Sequence, residues 1–145
     1  MQAPPSFPSS LIPCLWYRNA QHMIEWLSRV FGLSVKMVVP DGQGGVAHAE
    51  LTHAGGMIML GSVKAADANP YAAVMVMPDE VAGRQTQTIY LVVPDADAVH
   101  DRAVASGAAI VIPIKDEDYG GRGFTCRDIE GHVWSVGTYD PWKSV

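Results

Sequence analysis

The chain states one structural pattern twice, 76 positions apart. The first copy opens on the apolar run Ile12-Pro13-Cys14-Leu15-Trp16-Tyr17 and is cut by the turn-like Arg18-Asn19. The second opens on Thr88-Ile89-Tyr90-Leu91-Val92-Val93 and is cut by Pro94-Asp95. In both, a helix-period segment follows, then a glycine-bearing turn, then paired strands closed by Ala54-Gly55-Gly56 or Glu130-Gly131-His132. The offset of 76 is the same at the front (Tyr17 to Val93) and at the back (Gly55 to Gly131), although few residues are identical. The repeat therefore resides in pattern. Two half-sheets related in this way can join into one curved mixed sheet with a concave pocket, and that architecture is expected here.

Apolar spacing locates the helices. Met23, Ile24, Leu27, Val30 and Phe31 recur at helical intervals over residues 20–31, with Trp26 at the edge of the stripe, Asn19 as N-cap and Gly32 as C-cap. The counterpart covers residues 96–106, with Val99, Ala103 and Val104 as the stripe, Asp95 as the cap and Gly107 as the stop. Strands are expected at 12–17, 34–40, 46–51 and 57–62 in the first copy, and at 88–93, 109–114, 123–127 and 133–139 in the second. The fold class is α+β, with βαβββ modules over residues 12–62 and 88–140. Residues 1–11 read as a flexible tail lacking the basic start and apolar core of a signal peptide, and 141–145 as a short C-terminal tail. The connection 63–87 contains Pro70, Pro78 and Gly83 and is long enough for a lid or for a crossover lying over the body. Met75 and Met77 within it point to packing on an apolar surface.

Composition removes several function classes. With 145 residues and 48% hydrophobic content the chain can bury a core as one domain or as two small modules. A formal charge of −5 without a Lys/Arg cluster argues against nucleic-acid binding. No apolar stretch is long enough to span a bilayer. Cys14 and Cys126 form no disulfide framework, so a reduced cytoplasmic location is expected and both read as small core-like residues. His22, His53, His100 and His132 read as surface or turn residues.

Several stretches together resemble the vicinal oxygen chelate superfamily, the glyoxalase and bleomycin-resistance group. They are Tyr17-Arg18-Asn19-Ala20 leading into Ile24-Glu25-Trp26-Leu27 and Phe31-Gly32, then His48-Ala49-Glu50-Leu51 with Gly56-Met57-Ile58-Met59-Leu60. Val93-Pro94-Asp95-Ala96-Asp97 and the hairpin Asp128-Ile129-Glu130-Gly131, flanked by Phe124-Thr125-Cys126-Arg127 and His132-Val133-Trp134, complete the set. The likeness is to the bacterial bleomycin-resistance-like branch. It implies a curved sheet with a helix behind each half, a homodimer with pockets at its interface, and a small-molecule ligand. It also implies a divalent metal on the concave face of the superfamily's enzymes, held by the opening and last strands of each module. Lined up on those positions, this chain offers Ile12, Met59, Thr88 and Ser135. Isoleucine cannot coordinate, Met59 is a soft thioether, and the two hydroxyls are weak neutral ligands. A family-type metal site and a cofactor are not expected.

His48 and Glu50 stand two apart in a strand and share a face. With Ala54-Gly55 in the hairpin turn, Glu50 is expected opposite Met57 and His48 opposite Met59. The same count sets Cys126 against Val133 and Phe124 against Ser135. Because the resemblance places Met59 and Ser135 on the concave side, His48, Glu50 and Phe124 are expected there too. Alternation adds Trp16, Tyr90 and Met57, while Tyr119 and Arg122, on the loop before the seventh strand, close the rim. The bland alternatives are a satisfied polar pair and aromatics filling a sheet interface or dimer seam. The expected function is metal-independent binding of a small organic molecule, aromatic or cationic, as in drug-sequestering antibiotic-resistance proteins. One alternative is a lyase, isomerase or dioxygenase-type enzyme in which His48 and Glu50 act as base and orienting partner, or in which a divalent metal binds atypically. Another is a regulatory member whose dimer surface is the functional part.

Overall fold

The computed structural model describes residues 8–64 and 69–143. They fall into two compact units, Pro8–Arg84 and the part of the chain from Gln85 onward. The N-terminal unit holds β1 (Cys14–Tyr17), α1 (Ala20–Phe31), β2 (Ser34–Pro40), β3 (Val46–His53) and β4 (Gly56–Ser62). The C-terminal unit holds β5 (Ile89–Val92), α2 (Ala96–Ala105), β6 (Ala109–Asp116), β7 (Arg122–Arg127) and β8 (Val133–Gly137). Both run in the order βαβββ, and the fold is α+β. The strands make two four-stranded mixed sheets, one from each expected module, ordered β1-β4-β3-β2 and β5-β8-β7-β6. Pairing is within each copy: the opening strand lies parallel to its own copy's last strand, and the other neighbours are antiparallel.

Helix α1 starts where the Asn19 side chain accepts the His22 amide at 3.2 Å. It stops where Gly32 turns to φ 76°, a left-handed conformation that favours glycine. Its whole apolar stripe is buried, and so is Trp26, 1% exposed, whose ring meets Phe31 edge-on at 5.2 Å. The expectation that Trp26 lies at the stripe's edge is thus corrected. The opposing sheet face contributes Leu15, Tyr17, Ala49, Leu51, Ile58 and Leu60, all buried. Helix α2 is capped by Asp95, which accepts the Ala98 amide at 3.1 Å. Ala96, Val99 and Ala103 are buried along it, while Val104, expected in the stripe, is 49% exposed. Leu91, Phe124, Cys126, Trp134 and Val136 form the buried face of its sheet.

Register decides which side chains face away from each helix. In the first hairpin His53 pairs with Gly56 across the two-residue turn Ala54-Gly55, so Glu50 lies opposite Met59 and Thr52 opposite Met57. That is two residues from the expected pairing, and an even slip leaves every side chain on its expected face. In the second hairpin Thr125 pairs with Ser135, Phe124 with Val136 and Cys126 with Trp134. That slip is a single residue, so Phe124 moves to the helix side and Thr125 takes its place beside Ser135. The hairpin loop is responsible: Arg127 pairs with Val133, leaving Asp128 to His132 as a loop closed on the buried Asp128 carboxylate. Its Oδ1 accepts the Glu130 and His132 amides at 3.0 and 3.1 Å, and its Oδ2 accepts Trp134 Nε1 at 3.0 Å.

The 63–87 connection carries two short 3-10 turns, Pro70–Ala73 and Pro78–Val81, while residues 65–68 of it lie outside the described residues. Met77 is buried, Met75 is half-buried, and Asp79 accepts from Arg18 Nη2 at 2.9 Å, so this stretch packs on the N-terminal unit. Of the expected tails, residues 1–7 and 144–145 also lie outside the described residues. Among the described residues no helix is long and apolar enough to cross a membrane.

Candidate functional site

Each unit turns one sheet face away from its helix, and the candidate residues sort by unit. On the N-terminal unit Trp16, His48, Glu50, Met57 and Met59 are half-buried, while Leu15, Tyr17, Ala49, Leu51, Ile58 and Leu60 on the same strands are buried. His48 Nε2 lies 2.9 Å from Glu50 Oε2, and Lys36 Nζ donates to Glu50 Oε1 at 3.4 Å. The hydrogen bond from His48 holds the Glu50 carboxyl below the ordinary glutamate range, against partial burial, and Lys36 pulls the same way. Lys36 escaped sequence reasoning. Its strand is irregular between Val35 and Met37, which hides which face a residue there takes. Cys14, read as core-like, is exposed, because the sheet face it occupies is the one away from α1.

The C-terminal unit holds a cavity of about 420 Å³ on the open face of its sheet. Tyr90, Tyr119, Arg122, Phe124 and Ser135 all border it, joined by Thr88, Ile112, Lys115, Glu117, Thr125 and Tyr139. Phe124 does so from its strand position only. Its ring is 3% exposed and meets His100 on α2 edge-on at 5.1 Å, on the other side of the sheet. Thr125 stands in its stead, its Oγ1 2.8 Å from Ser135 Oγ. Arg122 belongs to β7, not to the loop before it. Its guanidinium is clamped by Asp97 on α2 at 3.0 Å and by Asp116 at 3.3 Å, contacts that raise its pKa further.

Three tyrosines form one end of the cavity. The Tyr119 and Tyr139 rings meet edge-on, 5.2 Å apart at 87°. Tyr90 donates its hydroxyl to the Tyr139 carbonyl at 2.7 Å. Gly137 makes room for that bond: a Cβ there would come within 2.8 Å of the Tyr90 hydroxyl. Partial burial raises the pKa of Tyr90 and of Tyr119, and neighbouring acidic groups add to it, so both phenols stay protonated at neutral pH. Tyr139 went unselected in the sequence although alternation from Ser135 over the expected strand 133–139 puts it on the same face; in the structure it lies just beyond the end of β8. Cys126 is no nucleophile: burial, then Asp128, pushes its thiol up to about 12.

The positions to which the resemblance assigns a divalent metal carry Ile12 and Met59 in one unit and Thr88 and Ser135 in the other. An aliphatic side chain, a thioether and two alcohols do not fit a hard or borderline cation, and Ser135 already shares its hydroxyl with Thr125. Among the described residues no three His, Cys, Asp or Glu side chains are grouped to hold a metal ion.

Residues 12–136 match the family model described as the Glyoxalase/Bleomycin resistance protein/Dioxygenase superfamily. The chain is 30% identical over 128 residues to an uncharacterized protein of Mycobacterium bovis, Mb0911c, covering 88% of this chain and 82% of that one. The crystal structure of TioX from Micromonospora sp. ML1 matches at a TM-score of 0.64 with 29% identity, over 89% of this chain and 97% of that one. A fosfomycin resistance protein of Listeria monocytogenes, FosX, solved with Mn(II) and a dihydroxypropylphosphonic acid, matches in fold at a TM-score of 0.63. Its identity is 15%, over 92% of this chain and 90% of that one.

Proposed function

We propose that this chain, which belongs to the glyoxalase/bleomycin resistance protein/dioxygenase superfamily, captures a small organic molecule without a family-type metal and without making or breaking a bond. The observation that carries the reading is the cavity of the C-terminal unit. Its volume of about 420 Å³ lies within the range of small-molecule sites, and it combines an aromatic end with a few fixed polar groups. Tyr90, Tyr119 and Tyr139 supply stacking surface, and the Thr125–Ser135 hydroxyl pair supplies donors and acceptors that orient a ligand. Stoichiometric capture of this kind is how a drug-sequestering resistance protein works, and two unpaired cysteines suit a reducing, cytoplasmic setting.

The metal-free part is tested first. Metal content of the purified protein, followed by titration with divalent cations read by Trp fluorescence, is expected to give no bound ion and no response. One tightly bound ion per chain would overturn it. A second reading rests on Glu50 held between His48 and Lys36, the arrangement of a carboxylate with an orienting partner. On that reading a turnover exists and falls at least about 100-fold in Glu50→Gln; saturable binding that survives this change, with no product formed, favours capture.

The proposal includes a homodimer. Strand β2 is an edge strand exposed along its length, with Val35, Met37, Val38 and Val39 each at least 42% exposed, and β6 presents Ile110, Val111 and Ile112 likewise. Apolar edges of this kind are normally covered. Sedimentation is expected to give twice the chain mass, and Val38→Lys together with Val111→Lys to shift it toward the monomer. A wild-type monomer at tens of micromolar would count against the dimer.

A further inference from the structure

Within the cavity Tyr119 and Tyr139 make a corner rather than a slot, and Tyr90 lines the same cavity. Tyr119 and Tyr139 stand at 87° to one another with centroids 5.2 Å apart. Tyr90 is tied in beside them by its hydrogen bond to the Tyr139 carbonyl. The corner is fixed from below, because Gly137 leaves room for Tyr90 and Gly121, at φ 81°, lets the preceding loop approach the Tyr139 amide, where a Cβ would sit at 2.7 Å. A corner of ring faces and edges with Glu117 nearby suits a compact positive group, since each ring face is negative and a cation within about 6 Å of several centroids is attracted to all of them.

The surrounding charge points the same way. On Tyr119 the strongest charges are acidic, Glu117 and then Asp118, while on Tyr90 the neighbouring Tyr119 and Tyr139 act first and Asp140 and Glu117 follow. Arg122, also at the cavity, has its charge answered by Asp97 and Asp116. Lys115 also borders the cavity and brings a positive charge to it.

We propose that the Tyr90–Tyr119–Tyr139 corner, with Glu117 beside it, is a subsite for an alkylated ammonium group, quaternary or tertiary, carried by the captured molecule. The inference rests on the reading of the cavity as a ligand site and names the chemistry of one end of its ligand.

The test uses the full chain and two isosteric probes, choline and its neutral carbon analogue 3,3-dimethylbutan-1-ol, titrated by calorimetry and by NMR. Choline is expected to bind about tenfold tighter or better. Tyr119→Leu and Tyr139→Leu, at exposed positions where folding is not at stake, are each expected to weaken choline by about two- to fivefold and to leave the neutral analogue unchanged. Tyr90→Phe keeps the ring and is expected to bind choline as the parent does. Equal or tighter binding of the neutral analogue, with NMR shifts at these tyrosines, overturns the ammonium subsite and leaves small-molecule capture standing. Shifts confined to other residues overturn the placement. Absence of any binding by either probe overturns the subsite, and failure of a wider set of neutral and aromatic compounds to bind would then remove the capture reading itself.

Discussion

Asp128 uses both carboxylate oxygens inside the protein, on two backbone amides and the Trp134 indole, while being 3% exposed. Removing an acceptor from buried donors costs more than the bond it made, because those donors keep no water in exchange. Asp128→Ala is therefore expected to destabilise the chain by about 3 kcal/mol in chemical denaturation, and Asp128→Asn, which keeps one acceptor oxygen, by clearly less. Glu50 is the contrasting case, partly solvated and held by His48 and Lys36. Its folded carboxyl binds a proton less tightly than the unfolded one. Its contribution to stability is thus present above the unfolded glutamate pKa and lost as pH falls through the lowered folded value. Carbon-13 NMR is expected to place its midpoint below that of a free glutamate, and Lys36→Met to move it upward; a midpoint at or above the free value would refute the arrangement.

At the scale of elements, what the sequence disclosed depended on whether a local signal settled it. Helix α1 was legible to the residue because Asn19 and Gly32 mark its ends chemically and its apolar stripe is wide. The second hairpin was not. Counting from Gly131 puts Phe124 beside Ser135, but the Asp128 loop sets the register one residue away, and no pattern in β7 or β8 announces that. The cavity wall was legible in part: Tyr90, Tyr119 and Ser135 followed from strand alternation and loop position, whereas Thr125 depends on a register that only the Asp128 loop sets. The first hairpin carries a local conflict of its own. Ala54 opens its two-residue turn at φ 50°, where a Cβ is crowded. Ala54→Gly is expected to stabilise the chain by about 0.5–1 kcal/mol, measured as a shift of the urea midpoint at constant slope; a loss would mean that the entropy of the added glycine outweighs the strain.

For the molecule as a whole, the offset of 76 survives where it matters most. Cys14 pairs with Met59 and Tyr90 with Ser135, each pair the image of the other. Ligand capture without chemistry has a thermodynamic signature on this scale, since whatever binds only the folded chain stabilises all of it. At 100 times its Kd, a true ligand is expected to add about 2.7 kcal/mol and raise the melting temperature by about 5–10 °C. Glu50→Gln is expected to keep that rise and Tyr139→Leu to reduce it.

The two hairpins also set a rule for how chains of this architecture can change length. The β3–β4 and β7–β8 ladders run without a bulge, so nothing within them absorbs an extra residue. A loop lengthened or shortened by two keeps every side chain on its own side of the sheet. An odd change that slips the ladder acts like a frameshift in space, sending Thr125 into the core and Phe124 into the cavity. Divergence at residues 54–55 or 128–132 should therefore proceed in even steps, and a cavity with new chemistry is reached more safely by substitution than by insertion.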